Sequence, residues 1–386
     1  MRRILIGSFI ALGLLAAACG DDTDADGSSG DDGPAVVTYN AGLADGFVDA
    51  AVERVPAVID GIEGLDADVV FVQEVWTPAD VTALTDAVEE SYPHSQFLDP
   101  MPEEPGVEAT GPACPLDESQ PLEDCARQRC ADVPPDELAD CVLEGCGAEF
   151  SATCPECQAC LAANVGSSID EAIETCSQGS AAYAYEGAFG IGFLSAEPIV
   201  DQDSLVLDSS LTRRAVLYAR VDDPTVGTLH LFGTHLSPVF SDVPFPGEGS
   251  WEEEQLAQIE TVREWVESKT GGEGTIVLLG DFNTGPDGVL FEGEQVTHYE
   301  ALADGWKNAY LEAQGDEAEC TFCSDNPLVG GDGESGAVID HILVMGHDGG
   351  FEAERVLDGA VDIDVDGESV STAYSDHYGV RAVLRP

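Results

Sequence analysis

Positive charge is what this 386-residue chain has least of: 14 Lys and Arg stand against 75 Asp and Glu, a formal net charge of −61. A surface of that sign repels nucleic acid and anionic lipid at long range. It also serves solubility in a salty or acidic milieu, the plainer use of such a composition. Acidity does not exclude a phosphate substrate, because a bound metal ion inverts the field around it. Long apolar runs are scarce too. The run 4–15 is too short for a comfortable membrane span, and no other stretch could cross a bilayer. No internal repeat is present, which excludes a solenoid. Hydrophobic residues nevertheless make up 44%, enough for a full core and too many for a disordered chain.

Cysteine is abundant. Of the 12, nine lie between Cys114 and Cys176. Such density persists as disulfides only in an oxidising compartment. The N-terminus points the same way. Arg2-Arg3 is a short basic region, the apolar run follows, and then comes Leu15-Ala16-Ala17-Ala18-Cys19-Gly20. These residues resemble a bacterial lipobox, with Ala16 where Leu is commoner. That implies lipidation of Cys19 and a cell-envelope or extracellular location. The alternative is an ordinary signal peptide cleaved after Ala18.

The expected organisation is a signal segment 1–19 ending at the lipidated Cys, a flexible acidic linker 20–33 that cannot pack, and a folded domain 34–386. Short or buried strands are expected at 36–39, 69–72, 190–194, 214–221, 228–232, 275–279, 338–344 and 379–384. Helices are expected at 47–62, 81–90 and 251–269. The acidic, Cys-rich segment 101–180 reads as an insertion stapled by disulfides, with short helices at 135–143 and 168–175. Helices and strands alternate early and strands dominate late, the pattern of two packed sheets with helices outside.

Five short motifs place a polar residue at the carboxyl end of an expected strand. They are Tyr39-Asn40, Gln73-Glu74, Thr234-His235-Leu236, Gly280-Asp281-Phe282-Asn283, and the pair Ile339-Asp340-His341 with Ser375-Asp376-His377. Strand ends on one sheet edge converge on one crevice. Carboxylate and amide oxygens suit a hard cation such as Mg²⁺, and His supplies charge and protons around phosphorus. The order of these motifs resembles the endonuclease/exonuclease/phosphatase superfamily, from about Ala35 to Arg385 around the insertion. The resemblance implies a deoxyribonuclease I-like α/β fold, a four-layer α/β sandwich of two packed mixed β-sheets flanked by helices. It implies a phosphoric ester hydrolase dependent on Mg²⁺, with Mn²⁺ or Ca²⁺ as alternatives. Glu74 matches the metal ligand, Asn40 supports it, and Asp376 matches a second metal-side carboxylate. Asp281 matches the carboxylate that positions or activates water, and Asn283 the amide that holds the nucleophile and a phosphate oxygen. His235 matches the His that bonds the scissile phosphate. Asp340 matches the carboxylate orienting His377, which stabilises the developing charge. Arg214 stands where many members place a phosphate-contacting residue, the alternative being a surface salt bridge.

The substrate is expected to be a phosphate ester, nucleic acid or phospholipid head group being undecided, with the membrane met only through the lipid anchor. The absence of basic loops weakens the nuclease branch. The other function class, a binding protein working through its Cys-rich module, is disfavoured because no site position has been lost. The insertion itself is open between a lid over the crevice and a stability or docking module. His341 should face away from Asp340's side of its strand. His94, His230, His298 and His347 are expected to be ordinary, and Asp45 and Asp287 surface charges. Cys154, Cys157 and Cys160 are expected in disulfides rather than around a metal, and a local Cys320–Cys323 pair is expected. Without Cys19, 11 Cys remain, so one is left over.

Overall fold

The computed structural model describes residues 33–98, 112–131, 133, 138–164, 167–178, 183–241, 245, 249–329 and 336–386. The expected signal segment, Cys19 and the expected linker as far as residue 32 lie outside the described residues. The strands are β1 (Ala35–Leu43), β2 (Val69–Val75), β3 (His94–Phe97), β4 (Ile191–Ser195), β5 (Asp201–Leu207), β6 (Arg214–Asp223), β7 (Gly227–Thr234) and β8 (Thr275–Asp281). After these come β9 (Lys307–Asn308), β10 (Phe322–Cys323), β11 (Gly336–Ala337), β12 (Asp340–Met345), β13 (Phe351–Val356), β14 (Ala360–Val365), β15 (Glu368–Ala373) and β16 (Gly379–Leu384). The helices are α1 (Ala51–Glu63), α2 (Pro78–Ala87), α3 (Leu116–Arg129), α4 (Leu138–Phe150), α5 (Pro155–Ala163), α6 (Ile169–Gln178), α7 (Trp251–Thr270), α8 (Val296–Ala303) and α9 (Ala309–Gln314).

One six-stranded sheet runs β13-β16-β1-β2-β4-β3 and the other β5-β6-β7-β8-β12-β9. Each is mixed: β1–β2 and β7–β8 are parallel, the remaining pairs antiparallel. The apolar run of β2 shows why both faces are covered. Val69 and Phe71 enter the core between the sheets, while Val70 and Val72 pack outward with Val58 and Ile62 of α1 and Leu84 of α2. Alternation of side chains across a strand produces this split, so a strand buried on both faces reads as an unbroken apolar run. On the other side Phe232, Leu278 and Leu343 pack against Ile259 and Val262 of α7 and Leu302 of α8. The result is the expected four-layer α/β sandwich.

Helix α7 matches its predicted span closely because its ends are chemically marked. Ser250 Oγ caps the Glu253 amide, three Glu occupy the first turn, and Gly271 leaves in the left-handed region. Helix α1 starts later than predicted, after turns over 45–50. The insertion is more helical than its composition indicates: α3 and α5 were not expected. Four disulfides, Cys114–Cys157, Cys125–Cys146, Cys130–Cys141 and Cys160–Cys176, tie its helices together. Cys320 pairs with Cys323. Among the described residues the left-over thiol is Cys154, while Cys157 and Cys160 pair as disulfides.

Candidate active site

Asn40 lies in β1, Glu74 in β2 and His235 just beyond β7, while Asp281 ends β8. Asp340, however, is the first residue of β12, and Asp376-His377 precede β16. The expectation that each motif closes a strand is therefore corrected. β12 runs antiparallel to β8, with Asp340 opposite Asp281, and β16 runs antiparallel to β1. An antiparallel neighbour offers its amino end where β8 offers its carboxyl end, so both directions serve one sheet edge.

Backbone irregularities aim the side chains. A register shift between Asn40 and Leu43 bulges β1, and Gly42 there has φ 56°. A Cβ on Gly42 would lie 2.4 Å from Asp376 Oδ1 and 2.7 Å from Ser375 Oγ, so only glycine fits. Gly280 is similarly required: a Cβ would stand 1.8 Å from the Thr234 carbonyl oxygen. Glu74 (φ 59°) and Asn283 (φ 49°) are held in the left-handed region, strain of a kind concentrated at functional sites.

Asp281 is the hub. Its Oδ2 accepts from Asn40 Nδ2 at 2.9 Å, across the two sheets, and its Oδ1 accepts from the Asn283 amide at 2.9 Å. His235 Nε2 lies 3.3 Å and His377 Nε2 3.8 Å from Oδ2. Burial alone would raise the Asp281 carboxyl, but the two imidazoles and the Asn283 amide hold it below the usual carboxylate range. Burial, with Arg214 nearby, pushes His235 down to about 4. The His235–Asp281 contact is therefore a hydrogen bond rather than an ion pair, and the compensating charge on Asp281 comes from His377. His377 Nδ1 is 2.9 Å from Asp340 Oδ2. Burial opposes its charge, yet Asp340, Asp281 and Asp376 together hold it protonated well above the ordinary range.

Asp281, Asp340 and His377 offer atoms within 4.8 Å of one another, close enough to hold a metal ion. An imidazolium already stands between these two carboxylates and offsets one of their two charges. Excess negative charge lies beside it, at Glu74. Burial and then Asp376 push the Glu74 carboxyl up to about 7, with His377 and Arg214 offsetting this only in part. No hydrogen bond reaches that carboxylate from the described residues. A strained, unbonded carboxylate facing a second one fits a hard divalent cation such as Mg²⁺. Asn40 is placed differently from a direct ligand: its Oδ1 accepts from the Gly42 amide, so it orients Asp281 and the bulge.

Arg214 opens β6 and is 5% exposed, which rules out the surface salt bridge. Its Nε and Nη1 have no partner, and Glu74 and Asp281 are the nearest opposing charges. Its neighbour Arg213 instead stacks over Phe189 and Tyr183. His341 is where expected, turned away: it is buried and bonded to Asn308 Nδ2 and the Thr284 carbonyl oxygen.

Five contributors were not legible as such. Arg54, fully buried in α1, donates to the carbonyls of Ala41, Gly42 and Tyr374, clamping the bulge to the segment before Asp376. Gln255 of α7 donates to the carbonyls of Ser237 and Asn283, and His298, expected to be ordinary, holds the Gln255 side chain. Thr321 and Phe322, beside the Cys320–Cys323 disulfide, back His377: Phe322 packs at 5.0 Å and the Tyr378 amide donates to the Thr321 carbonyl.

A family model described as Endonuclease/Exonuclease/phosphatase family matches residues 37–377. The chain belongs to this family. No curated protein matches the chain. Solved structures of similar fold include beta toxin from Staphylococcus aureus, crystallised with bound magnesium ions (12% identity, TM-score 0.55, 91% of this chain and 99% of that one). Sphingomyelinase C from Streptomyces griseocarneus is another (15%, 0.53, 91% and 99%), and truncated TDP2 from Caenorhabditis elegans a third (15%, 0.51, 92% and 97%). At these identities the likeness is one of fold.

Proposed function

We propose that the protein is a metal-dependent phosphoric ester hydrolase that cleaves a phosphodiester or phosphomonoester by attack of water. The observation that carries this reading is the Asp281–His377–Asp340 arrangement, a carboxylate kept ionised beside an imidazolium kept charged. In this reading Asp281, ionised and hydrogen-bonded in place, positions or activates the attacking water. Asn283 and neutral His235 line the same position. His377 spends Nδ1 on Asp340 and keeps Nε2–H for the phosphoryl or leaving oxygen, where negative charge grows. Arg214 offers an unpaired fork to the same anion. Glu74 and Asp376, with Asn40 in support, would hold Mg²⁺ (or Mn²⁺ or Ca²⁺), which when bound polarises the phosphoryl oxygens.

Among the two substrate classes, the charge distribution favours a phospholipid head group over nucleic acid. Arg127, Lys269, Arg355, Arg381 and Arg385 are engaged with carboxylates, while Arg129, Arg263 and Lys307 donate to carbonyls. That leaves no basic track for a polyanion among the described residues. The lipobox-like sequence supports anchoring through Cys19 in the cell envelope or outside it, and the disulfides are what such a compartment permits. The test is hydrolysis of a chromogenic phosphodiester with Mg²⁺ and with chelator. Activity indifferent to chelator, or surviving His377→Ala, would overturn the reading.

A further inference from the structure

A cavity of about 150 Å³ lies in the Cys-rich module. Leu122, Val142, Phe150 and Ile173 line it from α3, α4 and α6, and its polar members are confined to Ser119, Glu123, Asn164 and Ser167. Glu123 is turned to Arg127 in an ion pair. The pocket is apolar and partly open to solvent, so an apolar group that fills it takes its own surface and that of the walls out of water. Empty, it forfeits contacts on every wall, and free helices would slide together to close it. These helices are not free to do so. Two disulfides tie α3 to α4, one ties the segment before α3 to α5, and one ties α5 to α6. The covalent frame holds the space open.

The remaining walls come from the catalytic sandwich, and they share an origin. Phe47 follows β1, the strand of Asn40. Leu211 stands three residues before Arg214 with φ 65°. Phe240 belongs to the segment that leaves His235 and packs edge-on against Trp251 at 5.1 Å. Phe47 is also 48% exposed, an apolar ring left in water beside the cavity. The segments that carry Arg214 and His235, and the strand of Asn40, thus also complete an apolar pocket. We propose that this cavity receives the aliphatic tail of the substrate, so that the enzyme acts on amphiphilic phosphoesters whose head lies at Arg214, His235 and His377.

This inference rests on the phosphoesterase reading for the head group, and its test separates the two. Alkylphosphonates from ethyl to decyl, which cannot be hydrolysed at their carbon–phosphorus bond, are titrated calorimetrically into the full disulfide-bonded chain. Affinity is expected to tighten roughly threefold to fourfold per methylene until the cavity is full. Ala126→Phe and Ala172→Phe each point a ring into the cavity from a different helix and should bring that gain close to onefold per methylene, circular dichroism reporting whether each variant folds. A flat series in the unaltered protein overturns the proposal, as does a slope that persists in either folded variant. In parallel, alkyl 4-nitrophenyl phosphates are assayed for turnover. A chain-length slope in binding with no turnover of any ester sinks the hydrolase reading and leaves the tail site standing.

Discussion

At the candidate site Glu74, His235, Asp281 and His377 have their protonation states set by burial and by their neighbours, and the consequences are measurable residue by residue. Asp281→Ala and His377→Ala should each lower kcat at least ~100-fold, the usual reach of acid–base and electrostatic roles. Asp340→Asn is more diagnostic. Asp340 heads the groups that hold His377 protonated against burial. Without its charge the imidazole should lose its proton at lower pH, so the variant's rate should fall between about pH 6 and 8, where the unaltered enzyme stays level. A pH–rate profile of the two proteins decides this, and parallel profiles would count against Asp340 setting the charge of His377. The acidic and imidazole residues were legible because each sits in a recognisable motif. Arg54 was not, because its acceptors lie up to 320 residues away and only folding brings them together. Arg54→Met strands those buried carbonyls and should cost about 3 kcal/mol in urea denaturation.

Strands and their ends explain how the site is aimed. The β1 bulge depends on Gly42, where any side chain meets Asp376. Gly42→Ala should therefore weaken metal binding and turnover together, with Mg²⁺ titration of activity as the readout. The β12 element has its own pH signature. Burial pushes His341 down to about 4, against 6.5 in an unfolded chain. Between those values the unfolded state binds more protons, so His341 favours folding fully above about 6.5 and loses that contribution as pH falls towards 4. The loss amounts to about 3 kcal/mol. Urea melts at pH 7 and pH 4.5 should show a steeper decline for the unaltered chain than for His341→Asn. An equal decline would mean that His341 is not buried neutral. Element types were mostly readable from period and caps, whereas strand direction was not: a polar residue beside an apolar run looks alike at either end.

At the scale of the molecule, two bodies of different construction share one chain. The sandwich is stabilised by three apolar layers, while the module's small clusters are built around cysteine. Small cores of that kind depend on their cross-links. Reduction with dithiothreitol should remove helical signal from the module while the sandwich still melts cooperatively, visible as far-UV ellipticity lost before the main thermal transition. A single concerted loss would show that the sandwich needs the module. The −61 charge acts at this scale as well. Self-repulsion is screened by salt, so thermal stability should rise as NaCl goes from millimolar to several hundred millimolar.

Read alone, the amino-acid order was enough to mark the sheet strands around the motifs, the long capped helix α7, the disulfide-rich character of 101–180 and the polar residues of the candidate site. These follow from local rules: side-chain period, capping chemistry and the residue types that particular chemistry needs. Only the tertiary structure decided that Asp340 and His377 reach the edge from the amino ends of antiparallel strands, that His235 is neutral while His377 is charged, and that Arg54 and Gln255 hold the loops. The same holds for the cavity shared by the module and the catalytic segments. Each of these depends on which groups burial brings within a few ångströms of one another, and no spacing along the chain encodes that.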